Sequence, residues 1–193
     1  MSPAGLDQNA ASSHTSTTGA TGMWIAMGAM LMFFSALASA FIVRRGLAPA
    51  GVEPVLELPN RLLALDTGVL LAGSAALELS NKELRAGARA AFRRWWYIAS
   101  LLGLLFLAGQ LFAWREMARA GFYLASTPDA GFFYMLTAAH ALHLVGGVIA
   151  LVVIAARVSK HRSSIDATRA AAIYWHFLAI VWCCIWTLFA ISG

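Results

Sequence analysis

Six side chains could carry chemistry in stretches that are otherwise apolar: Asp66, Glu78, Gln110, His140, His143 and His176. An ionisable or amide group placed in hydrocarbon is costly, so each marks a candidate functional position. His140 and His143 lie three residues apart in FFYMLTAAHALHLVGG, residues 132–147, and on an α-helix their rings share a face. Imidazole is the commonest metal ligand and also ligates haem, so a metal or haem site is the sharpest chemistry on offer. A proton or ion path lined by Asp66, Glu78 and the histidines is a second. Hydrogen bonding between helices is a third, with neutral histidines tying the fourth apolar segment to the fifth at about 0.6–2 kcal/mol per bond.

Spacing weighs against the first two. At about 1.5 Å per residue, His140 and His143 lie roughly 12 and 16 Å from one end of their helix, and His176 roughly 9 Å from the opposite face. Across a hydrocarbon core of about 30 Å the rings miss a common depth by several ångströms. Asp66 and Glu78 stand about 18 Å apart along a helix and about 120° around it, so they form no carboxylate pair. The sequence holds no Ser/His/Asp set, no phosphate-cradling glycine loop and no Cys/His cluster. Cys183 and Cys184 are adjacent within an apolar run, with no CxxC, and read as small apolar fillers.

The elements that position these residues follow from composition. Of 193 residues, 60% are hydrophobic and 12% charged, against about 45–50% and 25% in soluble domains. Mean hydropathy is +0.71. A membrane is the solvent this chain suits, and no basic strip with interleaved aromatics points to nucleic acid. Residues 1–22, rich in Ser, Thr, Ala and Gly, read as a flexible tail and lack the positive n-region of a secretory signal. Five apolar runs follow, at about 23–43, 62–79, 95–114, 132–156 and 170–191, giving a transmembrane domain over 23–193. The second reaches the length of a span, about 17–25 residues, only if its helix continues through Glu78. Each span must be helical, because backbone groups cannot go unpaired in lipid. The fold class is therefore an all-α bundle of five transmembrane helices.

Orientation follows the basic residues. Lys82, Arg85, Arg89, Arg93, Arg94, Arg157, Lys160, Arg162 and Arg169 fall on one side, and Arg44, Arg45, Arg61, Arg115 and Arg119 on the other. The larger group marks the inside, which puts the N-terminus in and the C-terminus out. Trp95, Trp96 and Trp114 bracket the third span as interfacial anchors. Gly146 and Gly147 form a small-residue notch beside the histidine face, where another helix can approach.

Two longer strings, FFYMLTAAHALHLVGGVIALV (132–152) and AIYWHFLAIVW (172–182), resemble the signature pair of subunit III of haem–copper respiratory oxidases. LELPNRLLALDTGVLLAGSAALEL (56–79) and WYIASLLGLLFLAGQLFAW (96–114) resemble two further helices of that family, so the likeness runs in order through all five spans. Thr137, His140, His143, Gly146 and Gly147 match the fourth-helix motif, and Tyr174, Trp175, His176, Phe177 and Trp182 match the fifth. Three positions depart from the pattern: Ala179 and Asp66 stand where the family has Asp and Asn, and Met30 where many members carry a glutamate.

The resemblance implies the short, five-helix form of an accessory subunit with no catalytic, metal-ligating or cofactor-binding residue of its own. Haem and copper would belong to partner subunits. The chain would pack on oxidase subunit I, with subunit II in the same complex, in a bacterial inner membrane. There it would stabilise the catalytic subunit, hold phospholipids and support proton uptake. Asp66, Glu78 and the arginine-rich loop with Arg85, Arg89, Arg93 and Arg94 are the candidate lipid or polar contacts. The family overlaps with the accessory subunits of nitric oxide reductases and quinol oxidases. A haem-carrying membrane anchor and a small transporter are the readings from other classes.

Overall fold

The computed structural model describes residues 4–47, 60–159 and 165–192. These form five helices: α1 (Ala4–Gly46), α2 (Asn60–Arg85), α3 (Arg89–Arg119), α4 (Pro128–Ser159) and α5 (Ile165–Ser192). All five are long and apolar enough to cross a membrane. The marginal second run is resolved by its helix continuing through Glu78 to Arg85. The backbone of α1 is already helical at Ala4, where composition predicts a tail over 1–22. Extending a helix from an existing span needs no new nucleus, and no proline interrupts 4–46. Lys160 and Arg162, which enter the charge count, lie outside the described residues.

The helix ends are set by local chemistry beyond the apolar runs. Gly87 adopts φ +78° and Gly121 φ +84°. At the first, Gly87 N–H donates to Leu84 C=O and Ala88 N–H to Glu83 C=O; at the second, Gly121 pairs with Ala118 and Phe122 with Met117. Both are Schellman closures, whose left-handed residue favours glycine. α4 starts with Thr127 Oγ1 accepting the Ala130 N–H at 3.2 Å, and with Pro128 in the first turn. Arg45, at the end of α1, pairs with Asp129 of that turn at 3.2 Å.

α5 is the hub of the bundle, touching α1, α2 and α4, while α3 lies against α2 and α4. Among the described residues, α1 packs only on α4 and α5. The rings of Phe41, Phe132, Phe133 and Phe189 knit α1, α4 and α5 together at one end, with neighbouring centroids 5.4–5.7 Å apart. Glycines admit the closest approaches: a Cβ at Gly103 would lie 2.4 Å from the Trp175 ring, and one at Gly147 3.4 Å from Tyr174. Gly146, expected in the same notch, faces open space. Adjacent helical residues point about 100° apart, so only one of the pair can face the neighbouring helix.

Candidate functional site

The interior holds a layer of polar groups carried by four helices. Thr67 and Asp66 come from α2, Gln110 from α3, Thr137 and His140 from α4 and Trp182 from α5, and all are buried. His140 is fully enclosed by aromatic rings: Trp182 at 5.0 Å, Phe106 at 5.8 Å and Phe34 at 6.3 Å between centroids. Both of its ring nitrogens lack a hydrogen-bond partner, as do Asp66 Oδ2 and the amide atoms of Gln110. Asp66 reaches α3 at Gly109, where a Cβ would fall 2.0 Å from Oδ1.

Indoles and threonines, rather than histidines, hydrogen bond the helices to one another. Trp182 Nε1–H donates to Thr67 Oγ1 at 3.0 Å, and Thr67 donates to the Leu63 carbonyl at 2.7 Å. The same relay recurs between α3 and α4, where Trp114 Nε1–H donates to Thr137 Oγ1 at 3.0 Å and Thr137 to the Phe133 carbonyl at 2.7 Å. In each, the hydroxyl accepts from one helix while its proton is held by its own, leaving neither group bare in lipid. Trp96 Nε1–H donates to the Leu151 carbonyl at 2.9 Å.

These contacts correct two expectations. Trp96, read as an interfacial anchor, is buried. The histidines do not bond α4 to α5. His143 Nδ1 lies 2.7 Å from the carbonyl of Ala139 in its own helix, while Tyr174 of α5 donates to the His143 backbone carbonyl at 3.2 Å. His176 turns toward α2, with Nε2 4.0 Å from Glu78 Oε2. A tryptophan near a span end suits either the interface or the interior, and the sequence signal separating the two is the stripe it shares. Trp96, Ala99, Gly103, Phe106, Gln110 and Ala113 follow helical spacing and are all buried.

The remaining sites are placed as follows. Trp175 is buried against Gly73 and Gly103, and Phe177 packs half-buried against the core. Glu78 and His176 are part-exposed on the α2/α5 seam. Arg85 lines a small polar pocket at the α2–α3 turn end of the bundle. Arg94 sits over Trp95, 5.6 Å from the ring centroid, and Arg89 and Arg93 lie exposed in the first turns of α3. Among the described residues, no group of three or more His, Cys, Asp or Glu side chains is arranged to hold a metal ion.

Comparison with known proteins gives a consistent assignment. Residues 20–193 match the family model described as cytochrome c oxidase subunit III. The chain is 34% identical over 166 residues to "Probable cytochrome c oxidase subunit 3" of Nocardia farcinica (strain IFM 10152), covering 83% of this chain and 81% of the relative. It is 27% identical to "Cytochrome c oxidase subunit 3" of Thermostichus vulcanus, covering 81% and 79%. For the Corynebacterium diphtheriae protein of that name the figures are 30%, 79% and 77%.

Proposed function

The chain belongs to the cytochrome c oxidase subunit III family, and from that premise we propose that it is the accessory subunit of an aerobic haem–copper oxidase in a bacterial inner membrane. The extent of the match carries the reading, because residues 20–193 take in all five membrane-crossing segments. Haem and copper reside in the partner subunits, and this chain contributes a stiff flank. The two Trp–Thr relays and the glycine-seated Trp175 fix helix positions in lipid, where apolar contact alone gives no driving force for association.

Subunit I is the main partner, with subunit II in the same assembly. Thr137, His140, His143, Gly147, Tyr174, Trp175, His176, Phe177 and Trp182 act structurally, and Gly146 keeps its surface open to a neighbour. Support of proton uptake is indirect, by covering and stabilising the catalytic subunit and holding lipid beside it. The end of the bundle carrying Lys82, Arg85, Arg89, Arg93 and Arg94 faces the cytoplasm, which puts the N-terminus inside and matches anionic headgroups.

The test is purification through a tag on this chain in mild detergent, with mass spectrometry of the co-purifying chains and a reduced-minus-oxidised spectrum. The spectrum is repeated after stronger detergent separates the chain. Haem present in the complex and absent from the separated chain supports the reading. Haem that stays with the chain would make His140, His143 or His176 ligands and overturn it.

A further inference from the structure

Most ionisable groups inside the spans turn inward: Asp66 and His140 are buried, and His143 meets a carbonyl of its own helix. Glu78 of α2 and His176 of α5 instead reach the outer surface of the bundle together, with side-chain exposures of 50% and 38%. Their 4.0 Å separation is too long for a hydrogen bond. Among the described residues, Glu78 meets no other charged partner. Glu78 stands seven residues from Arg85 and His176 seven from Arg169, which puts the pair roughly 10 Å in from those arginines. A carboxylate at that depth is costly against acyl chains, and such groups pair with an opposite charge or face protein. This chain leaves the Glu78 oxygens without that partner.

An apolar groove of about 680 Å³ between α2 and α5 begins beside the pair, with His176 in its lining. Ala179, Cys183 and Thr187, each four residues from the next, line it from α5, and Ser74 lines it from α2. Small side chains at that spacing let a second helix backbone come close. The Ser74 hydroxyl oxygen is buried without a hydrogen-bond partner. From His176 to Ile191 the groove runs about 22 Å along α5. One leaflet offers an acyl chain about 15 Å, so a single lipid tail leaves part of that length unfilled, whereas a membrane-crossing helix follows all of it.

We propose that the groove receives a membrane-crossing helix of a neighbouring subunit, and that an arginine or lysine on that helix pairs with Glu78. The proposal rests on the accessory-subunit reading and adds the face and the chemistry of the contact. An arginine suits the carboxylate best, because its planar fork meets both oxygens at once. His176 and the Ser74 hydroxyl offer hydrogen bonds to the same incoming face, and Leu71, Ile180 and Leu188 supply apolar contact along it.

Site-directed photo-cross-linking in the complex purified through a tag on this chain tests the contact. Absence of oxidase subunits from that complex would overturn the accessory-subunit reading, and the proposal with it. In an intact complex, p-benzoylphenylalanine in place of Ile180 should cross-link to a membrane-crossing segment of another oxidase subunit. Mass spectrometry of the product should find an arginine or lysine of that segment within about one helical turn of the depth of Glu78. Glu78→Gln, which keeps the side chain's shape, should lower the yield roughly tenfold or more. Glu78→Lys should abolish it, and glutamate in place of the partner's basic residue should restore it, a rescue that no general folding defect would allow. Cross-linking to lipid alone, to a second copy of this chain, or to a segment without a basic residue near that depth would overturn the proposal and leave the accessory-subunit reading standing. So would an undiminished yield in Glu78→Gln or failure of the charge exchange to restore the product.

Discussion

Replacing Gly103 with alanine tests the close seating of the Trp175 ring of α5 against the backbone of α3. The new methyl would sit 2.4 Å from Cη2 and 3.3 Å from Cζ2 of Trp175, and 3.0 Å from Cγ2 of Val148. Trp175 is 1% exposed and Val148 6% exposed, so neither has free space to retreat into. Overpacking of this kind costs about 1–3 kcal/mol, while alanine in a helix interior gains about 1 kcal/mol over glycine. The net loss is about 0–2 kcal/mol, too small to interpret alone. Gly146→Ala supplies the reference, because a Cβ there meets nothing within 4 Å and only the helix gain applies. The difference between the variants isolates packing and should be about 1–3 kcal/mol. Unfolding titrations in mixed micelles, followed by circular dichroism, measure it. Gly103→Ala/Trp175→Phe should recover part of the loss relative to Trp175→Phe alone, since phenylalanine lacks the benzo carbons that collide. Equal stability of Gly103→Ala and Gly146→Ala would refute the α3–α5 approach described here.

Three further outcomes follow from the same contacts. Trp182→Phe and Thr67→Val should each cost about 0.6–2 kcal/mol, and a double-mutant cycle in the same titration should return most of that as coupling; additive losses would break the relay. His140→Leu should leave stability unchanged or slightly raised, because an unpartnered ring gives way to an apolar side chain. The haem spectrum of the complex should stay constant, and a shifted Soret band would contradict the assignment of haem to other chains. Arg45→Gln should weaken the docking of α1 by about 1.5–3 kcal/mol through its bond to Asp129, seen as faster hydrogen exchange at the C-terminal end of α1.

The five spans were legible because apolar runs of membrane length admit one solution in lipid. The helix ends were less so, since α3 begins at Arg89 and ends at Arg119, six and five residues beyond its apolar run. Those limits come from Gly87 and Gly121, whose closures are local and recognisable as glycine after a basic last turn. The polar interior was legible as residue types but not as pairings. His140 and His143 share a face, yet one is enclosed by rings and the other bonds its own helix. Which partner a polar group finds depends on helix rotation, and a span that is apolar all round gives little amphipathic signal to fix it. Small residues beside large ones, as in Gly103 facing Trp175, carry that information and could have revealed the α3 stripe.

The sparse seating of α1 bears on how the chain is assembled. α2 and α3 meet through a three-residue turn and can pair as soon as both are made, but among the described residues α1 touches only α4 and α5. Its Arg45–Asp129 bond spans 84 residues. Among the described residues, α1 therefore has its partners only in helices made later, and it waits in the bilayer until translation has passed α4. During that interval its apolar surface is open to insertase or to a neighbouring subunit. Biogenesis, rather than the finished fold, is where a mutation in α1 would be felt first.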